Sequence, residues 1–107
     1  MKIGLGRGGK IFCQVIFNEK IKESRLVIQD GKEILEIKTF PKEKMNFRKS
    51  FLLARQIIFW ARQFGVKKIV LDWDKIEDFK FGESEEIAEI FAANFEMANY
   101  EFVRYKG

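Results

Sequence analysis

The apolar pattern over residues 11–17 predicts a strand with apolar side chains on both faces, which is typical of a sheet covered on both sides. The one cysteine, Cys13, lies within this segment. We expect it to be a buried small hydrophobe, because the sequence has no His to activate a thiol. The side chains predicted to point one way are those of Ile11, Cys13, Val15 and Phe17, and those predicted to point the other way are Phe12 and Ile16.

Two further strands are predicted at residues 25–29 and 33–39, on either side of a tight turn. The turn is Asp30-Gly31-Lys32, in which Gly tolerates the positive φ that hairpin turns require. We expect these strands and the first one to form a small β-meander. Pro41 then favours extended backbone and ends this part of the chain.

The spacing of apolar residues changes to that of a helix over residues 47–64. Asn46 precedes this stretch and is predicted to be its N-cap, and Gly65 follows it as the residue that ends the helix. The predicted core stripe consists of Phe47, Phe51, Ala54, Ile58 and Ala61.

A short apolar run at residues 65–72 predicts the return of the chain to the sheet, and residues 72–82 are predicted to be irregular and charged. Ser84 is expected to cap a second helix. The element order β-β-β-α-β-α indicates one α/β domain with a mixed sheet over residues 1–107. The predicted core face of the second helix consists of Ile87, Ile90, Phe91, Phe95 and Ala98.

The composition indicates a self-contained core and little catalytic chemistry. The chain has 107 residues, of which 47% are hydrophobic, and it contains no His. No leader segment and no apolar run near the roughly 20 residues of a membrane span are visible, so we expect a soluble cytoplasmic protein with no membrane partner. Lys and Glu outnumber Arg and Asp, as in proteins of thermophilic organisms.

Charge is distributed unevenly along the chain. Up to Leu71 there are 16 Lys and Arg residues against 6 Asp and Glu, whereas from Asp72 onward there are 4 against 10. A basic first part is compatible with nucleic acid, and opposite charges on two parts are equally compatible with docking on neighbouring subunits. The charge alone leaves both readings open.

The glycine-rich start, residues 4–10, matches two phosphate-binding motifs in spelling. Both motifs require a strand before the loop and a helix after it, so that backbone N–H groups converge on phosphate. Here only three residues precede Gly4, and a predicted strand follows Lys10. We therefore expect a turn that enters the first strand and no cofactor-binding residue.

Four carboxylates that follow the predicted strand at residues 65–72 could hold a metal or act as an acid/base pair. They are interleaved with Trp73, Lys75 and Ile76, without ligand spacing, so a solvated loop is favoured. Trp60 and Trp73 could stack on a base or sugar, but packing roles are favoured. The four carboxylates are Asp72, Asp74, Glu77 and Asp78.

The polar face of the first predicted helix contains two large apolar residues, Leu52 and Phe59. At 100° per residue they lie within about 40° of Arg48. Apolar side chains framed by arginines predict a contact patch for another protein surface. The candidate interface residues are Leu52, Phe59, Arg48, Arg55 and Arg62.

Two segments, residues 46–72 and 86–106, together resemble the amino-terminal domain of the leucyl (cytosol) aminopeptidases. The first segment carries the Arg-bearing helix and the run Phe64-Gly65-Val66-Lys67-Lys68-Ile69-Val70-Leu71-Asp72. The most specific part is the closing Tyr-x-Phe-x-x-Tyr-Lys pattern. It is formed by Tyr100, Phe102, Tyr105 and Lys106, with Arg104 between them.

The resemblance implies a macro-domain-like α/β unit whose mixed sheet is flanked by helices. In that family two divalent metals and all catalytic residues belong to a carboxy-terminal domain, which this chain does not contain. The resemblance thus implies an accessory domain of a homo-oligomeric two-metal exopeptidase, serving assembly and active-site access. It assigns no catalytic, cofactor-binding or metal-binding residue to this chain, and its expected partner is the catalytic domain of the same protein.

A free-standing macro-like module that binds ADP-ribose or nucleic acid is the alternative. That function would require glycine-rich loops after strands in the middle of the chain, and the sequence has none there. Some bacterial members of the aminopeptidase family bind DNA, which keeps the basic first part relevant to nucleic acid.

Overall fold

The structure is a computed structural model that describes residues 13–105, so the glycine-rich start and Lys106 lie outside the described residues. The mixed α/β class is confirmed. Two elements are added to the predicted order, a short helix and a final strand. The strands are β1 (Cys13–Asn18), β2 (Arg25–Gln29), β3 (Lys32–Lys38), β4 (Lys68–Asp72) and β5 (Glu101–Tyr105), and the helices are α1 (Phe47–Gln63), α2 (Trp73–Asp78) and α3 (Ser84–Met97), with a 3₁₀ turn at Lys42–Lys44.

The five strands form one sheet in the order β2-β3-β1-β4-β5. The strands β2 and β3 are the predicted hairpin, with Asp30 and Gly31 both at positive φ. The prediction of a meander is wrong, because β1 pairs in parallel with β3 and β4 and not with β2. Local turn residues specify the β2–β3 pairing, but they do not specify which neighbours β1 selects.

All three helices contribute to one core on the same face of the sheet. The crossovers from β3 to β4 and from β4 to β5 run in the same direction, and right-handed crossovers of that kind place their helices on one side. Cys13 and Val15 of β1 point into this core. On the other face Ile16 is 37% exposed, so the prediction of cover on both sides is wrong for β1 within residues 13–105.

Helix α1 begins and ends as predicted. The Asn46 side chain accepts a hydrogen bond from the Lys49 backbone N–H, and Gly65 follows the helix with φ of +72°. The predicted core stripe is wrong at its first turn, where Phe47 is 42% exposed and Phe51 is half-buried. The buried arc is instead rotated toward two residues that the stripe left out, Leu53 and Ile57.

The segment predicted to be irregular contains α2. The Asp72 side chain begins this helix by accepting a hydrogen bond from the Asp74 backbone N–H. Ser84 does not cap α3: the N-cap is Glu83, and the Ser84 hydroxyl instead accepts a hydrogen bond from the Trp73 indole N–H at 2.9 Å. That bond ties the start of α3 to α2.

The final strand β5 lies at the sheet edge and pairs in parallel with β4. The core face of α3 is confirmed at Ile87, Phe91 and Phe95, which are buried. Ile90 and Ala98 pack partly buried against the same core. Among the helices that lie within residues 13–105, none has the length and apolar character needed to cross a bilayer.

A candidate interface on the helix layer

The helix layer, which we define as α1 and α3, has two large apolar side chains about half exposed on the outward side of α1. Phe59 is 51% exposed and Leu52 is 46% exposed. On the opposite side of the same helix, Ala54, Ile57 and Ala61 are completely buried against the sheet. The core contact of α1 is therefore made without Phe59 or Leu52.

A groove of about 590 Å³ runs between α1 and α3 beside Phe59. Met97 on the α3 side is 85% exposed, so the groove carries apolar surface from both helices. Arg55 is exposed on the α1 side and gives this margin a positive charge. The lining residues are Arg55, Ile58, Phe59, Arg62, Gln63, Asn94, Met97 and Ala98.

Arg62, the last of the predicted interface cations, joins the two helices. Its guanidinium donates a 2.6 Å hydrogen bond to the carbonyl oxygen of Ala98, and it lies 5.7 Å from the centre of the Tyr100 ring. These contacts hold the carboxyl ends of α1 and α3 level with each other. Arg62 thus has a role within the domain, whereas Arg48 and Arg55 point into solvent.

Leu52 borders a different depression from the one that Phe59 borders. It lines a cavity of about 330 Å³ with Leu53, Gln56 and Trp60, on the side of α1 that faces away from α3. The predicted contact patch therefore forms a ridge between two concave surfaces. Leu52 and Phe59 remain on one outward strip of the helix, together with Arg48 and Arg55.

The outward face of α3 carries carboxylates that the sequence reasoning did not connect to the interface. Glu86, Glu89 and Glu96 are exposed, as is Ala93 between them. The acidic character of α3 can be read from the sequence, in which charged residues are mainly basic through α1 and mainly acidic from Asp72 onward. The layer consequently presents a basic helix beside an acidic one, with apolar side chains in between.

The residues of the closing sequence pattern attach β5 to the domain. The Tyr100 hydroxyl donates a hydrogen bond to the carbonyl oxygen of Val66. Burial raises the pKa of this phenol above its ordinary value of 10.0, and the charge of Arg62 partly opposes that rise.

The alternate residues of β5 pack toward α3 and α2. The Phe102 ring lies 4.6 Å from that of Phe95, and the Arg104 guanidinium lies 5.2 Å from the centre of the Trp73 ring. Arg104 also approaches Glu85 at 3.9 Å, while Tyr105 is 39% exposed. These contacts explain Tyr100, Phe102 and Arg104 as packing residues, whereas Tyr105 lies exposed at the end of β5.

Two further candidate residues, Cys13 and Trp73, pack inside the core. Cys13 is buried as predicted, and burial, followed by the charge of Glu33, raises the pKa of its thiol to about 11. Trp73 is buried with its ring 5.5 Å from that of Phe91.

Asp72 and Asp78 border a crevice of about 510 Å³ that Lys20, Lys42 and Lys75 also line. Within residues 13–105, no group of three or more His, Cys, Asp or Glu side chains is arranged to hold a metal ion.

Comparisons with protein-family models, with curated proteins and with solved structures give no match for this chain. The resemblance to the aminopeptidase amino-terminal domain therefore stays a prediction.

Proposed function

We propose that this chain is a non-catalytic assembly domain that docks through the helix layer on a second copy of itself. The observation that carries the proposal is the half-exposed pair Leu52 and Phe59 on a helix whose core contact is made by other residues. Because each side chain is already about half buried, leaving its exposed part in water forgoes on the order of 1 kcal/mol. A partner surface that covers them recovers this energy.

Charge complementarity favours a second copy as the partner. Helices α1 and α3 both return from the end of one parallel strand to the start of the next, so they run in the same direction. A two-fold axis parallel to the helices would place α1 of one copy against α3 of the other. Basic side chains of α1 would then face acidic side chains of α3 twice in one contact.

The charged residues of α1 and α3 lie at matching positions along the two helix axes, as this arrangement requires. Because Arg62 lies level with Ala98, Arg55 lies nearly level with Glu89. Arg62 and Glu96 lie at similar heights toward the other end. The apolar centre of the contact would be formed by Leu52, Phe59 and Met97.

The proposed contact involves one face of two helices, of 17 and 14 residues, from each copy. Standard protein–protein interfaces bury about 800 Å² on each partner, and for a contact confined to two helices per copy we expect a dissociation constant on the order of 10–100 µM. Docking of this strength suits a domain whose association is reinforced by the rest of a larger assembly.

A charge swap tests the proposal with the 107-residue chain. Sedimentation equilibrium should show dimers of the native chain that are weakened about tenfold in Arg55→Glu and, separately, in Glu89→Arg. An equimolar mixture of the two variants should recover native association. In a mixed dimer, both contacts between position 55 of one chain and position 89 of the other join opposite charges. A native chain that stays monomeric at millimolar concentration would overturn the proposal.

A second arm uses the apolar residues. Leu52→Lys with Phe59→Lys should abolish association and leave the cooperative thermal transition seen by circular dichroism in place. Loss of that transition would mean that these residues belong to the core, which also contradicts the proposal. Association that survives the double change would show that the copies meet through another surface.

The assembly proposal extends to a parent enzyme through the sequence resemblance. We infer an accessory domain of a leucyl aminopeptidase-like two-metal exopeptidase, in which the metals and the chemistry belong to a carboxy-terminal domain. Its support is the sequence pattern at residues 46–72 and 86–106. Reading the coding sequence beyond Gly107 tests it: a following metal-binding hydrolase is expected, and an unrelated domain contradicts it.

A further inference from the structure

The cavity beside Leu52 opens on the side of α1 that faces away from α3, and Leu52 is the one lining residue that it shares with the proposed assembly contact. It lies where β3 ends, between the loop that follows β1 and the first half of α1. In α/β proteins the carboxyl ends of parallel strands are the usual location of ligand sites. Its volume of about 330 Å³ falls at the lower end of the range for small-molecule pockets, which is roughly 300–1,000 Å³.

Hydrogen bonds hold one wall of the cavity in place. The loop from β1 to β2 crosses the end of β3, because β3 lies between those two strands in the sheet. The Lys38 backbone N–H donates to the buried Ser24 hydroxyl at 2.8 Å. The Lys38 ammonium donates to the Glu19 carbonyl oxygen at 3.0 Å. The wall is thereby preformed.

The interior of the cavity is apolar. Leu53 is buried at its base, and Met45 and Trp60 pack partly buried against the core from its sides. The Trp60 indole N–H donates to the Gln56 side-chain oxygen at 3.1 Å, which satisfies the polar atom of the ring. Phe40 and Leu52 are both nearly half-exposed and complete the apolar lining.

The rim of the cavity is cationic. Lys22, Lys38 and Lys49 line it, against the single carboxylate of Glu23. Across residues 13–105 none of these three ammonium groups lies within ion-pair distance of a carboxylate. The Lys49 ammonium lies 3.8 Å from the centre of the Phe40 ring. This contact holds the positive charge beside the apolar lining of the cavity.

We propose that this cavity binds a small amphipathic carboxylate. The hydrocarbon part lies against Leu53, Met45 and Trp60, and the carboxylate lies among the lysine ammonium groups. An ammonium has three donors, so Lys38 retains two after its bond to Glu19. A neutral molecule of the same shape would leave this positive rim uncompensated.

Octanoate is a probe of this chemistry, and 1-octanol is its neutral counterpart. With the ¹⁵N-labelled 107-residue chain, octanoate should shift the backbone amide signals of residues 22–24, 38–40 and 49–60 with a dissociation constant on the order of 1 mM. The constant for 1-octanol should be at least five times larger. Equal binding of the two ligands, or octanoate shifts confined to the α1–α3 groove, would overturn the proposal.

Two matched variants locate the charge. Lys49→Met keeps the aliphatic stem and should weaken octanoate binding about fivefold. Lys67→Met removes an exposed cation that lies outside both the cavity and the proposed assembly contact, and it should leave the constant unchanged. Equal effects of the two changes would show general attraction to a basic surface and would reject a defined site.

A filling variant tests the position of the hydrocarbon part. Leu52→Trp adds volume at the mouth of the cavity and should abolish the octanoate shifts, while its amide spectrum otherwise stays that of the folded chain. Gln56→Trp provides a second filling change one helical turn further along α1. Native binding in a folded filling variant would contradict the proposed location.

Discussion

The Asn18 side-chain amide donates a 2.9 Å hydrogen bond to the Glu36 carboxylate, which joins the ends of β1 and β3 on the face of the sheet opposite the helices. Arg25 of β2 contacts the other carboxylate oxygen at 2.5 Å. Three neighbouring strands are thus connected through one carboxylate that is only 6% exposed.

These contacts make the stability of the domain depend on pH through Glu36. The hydrogen bond from Asn18, followed by that from Arg25, holds the pKa of Glu36 below its ordinary value of 4.5. A depressed pKa contributes stability that is present above the unfolded-state pKa and is lost as the pH falls through the folded-state pKa.

Glu36→Gln should therefore lower the free energy of unfolding at pH 6 and have a progressively smaller effect below pH 4.5. Urea unfolding at pH 6 and at pH 3 measures this difference. Glu33→Gln, on the exposed part of the same strand, is the control and should not reproduce the pattern. An effect of Glu36→Gln that is constant over this range would contradict the argument.

The bond between Arg62 and Ala98 predicts a separate effect on stability. Arg62→Met should lower the free energy of unfolding by about 1 kcal/mol, the value expected for a hydrogen bond that solvent can partly replace. Arg55 makes no hydrogen bond or ion pair with the residues described here, so Arg55→Met should change stability by less than about 0.5 kcal/mol. Denaturant titration of both variants distinguishes them.

The observed rotation of α1 predicts which of its apolar residues support the core. Ile57 is completely buried, so Ile57→Ala should destabilise the domain by about 2–5 kcal/mol. Phe47 is 42% exposed, so Phe47→Ala should cost about 1 kcal/mol or less. Similar losses of urea stability in the two variants would mean that the first turn of α1 is packed more tightly than described.

The features that the sequence predicted well are those specified by neighbouring residues. Asn46 and Gly65 bound α1 through their own side-chain and backbone chemistry, and Asp30-Gly31 supplies the turn of the β2–β3 hairpin. The exposure of Leu52 and Phe59 followed from helical periodicity, since both lie opposite the buried arc.

The features that the sequence reasoning missed depend on distant partners. The Ser84 hydroxyl is occupied by Trp73 of α2, so the usual N-cap chemistry of Ser does not apply. Residues 101–105 show no strict alternation of polar and apolar side chains, and they form a strand because β4 offers a parallel edge. The sequence shows that α1 is basic and α3 is acidic, but only the fold shows that the two helices lie side by side.

The central position of β1 has a consequence for synthesis of the chain. Val15 pairs with Leu35 about 20 residues later and with Leu71 about 56 residues later. During translation the hairpin of β2 and β3 can close as soon as it emerges, whereas the second edge of β1 has no native neighbour until β4 has left the ribosome. One edge of this apolar strand therefore stays unpaired while all of α1 is synthesised. During that interval the nascent chain is most prone to wrong strand pairing.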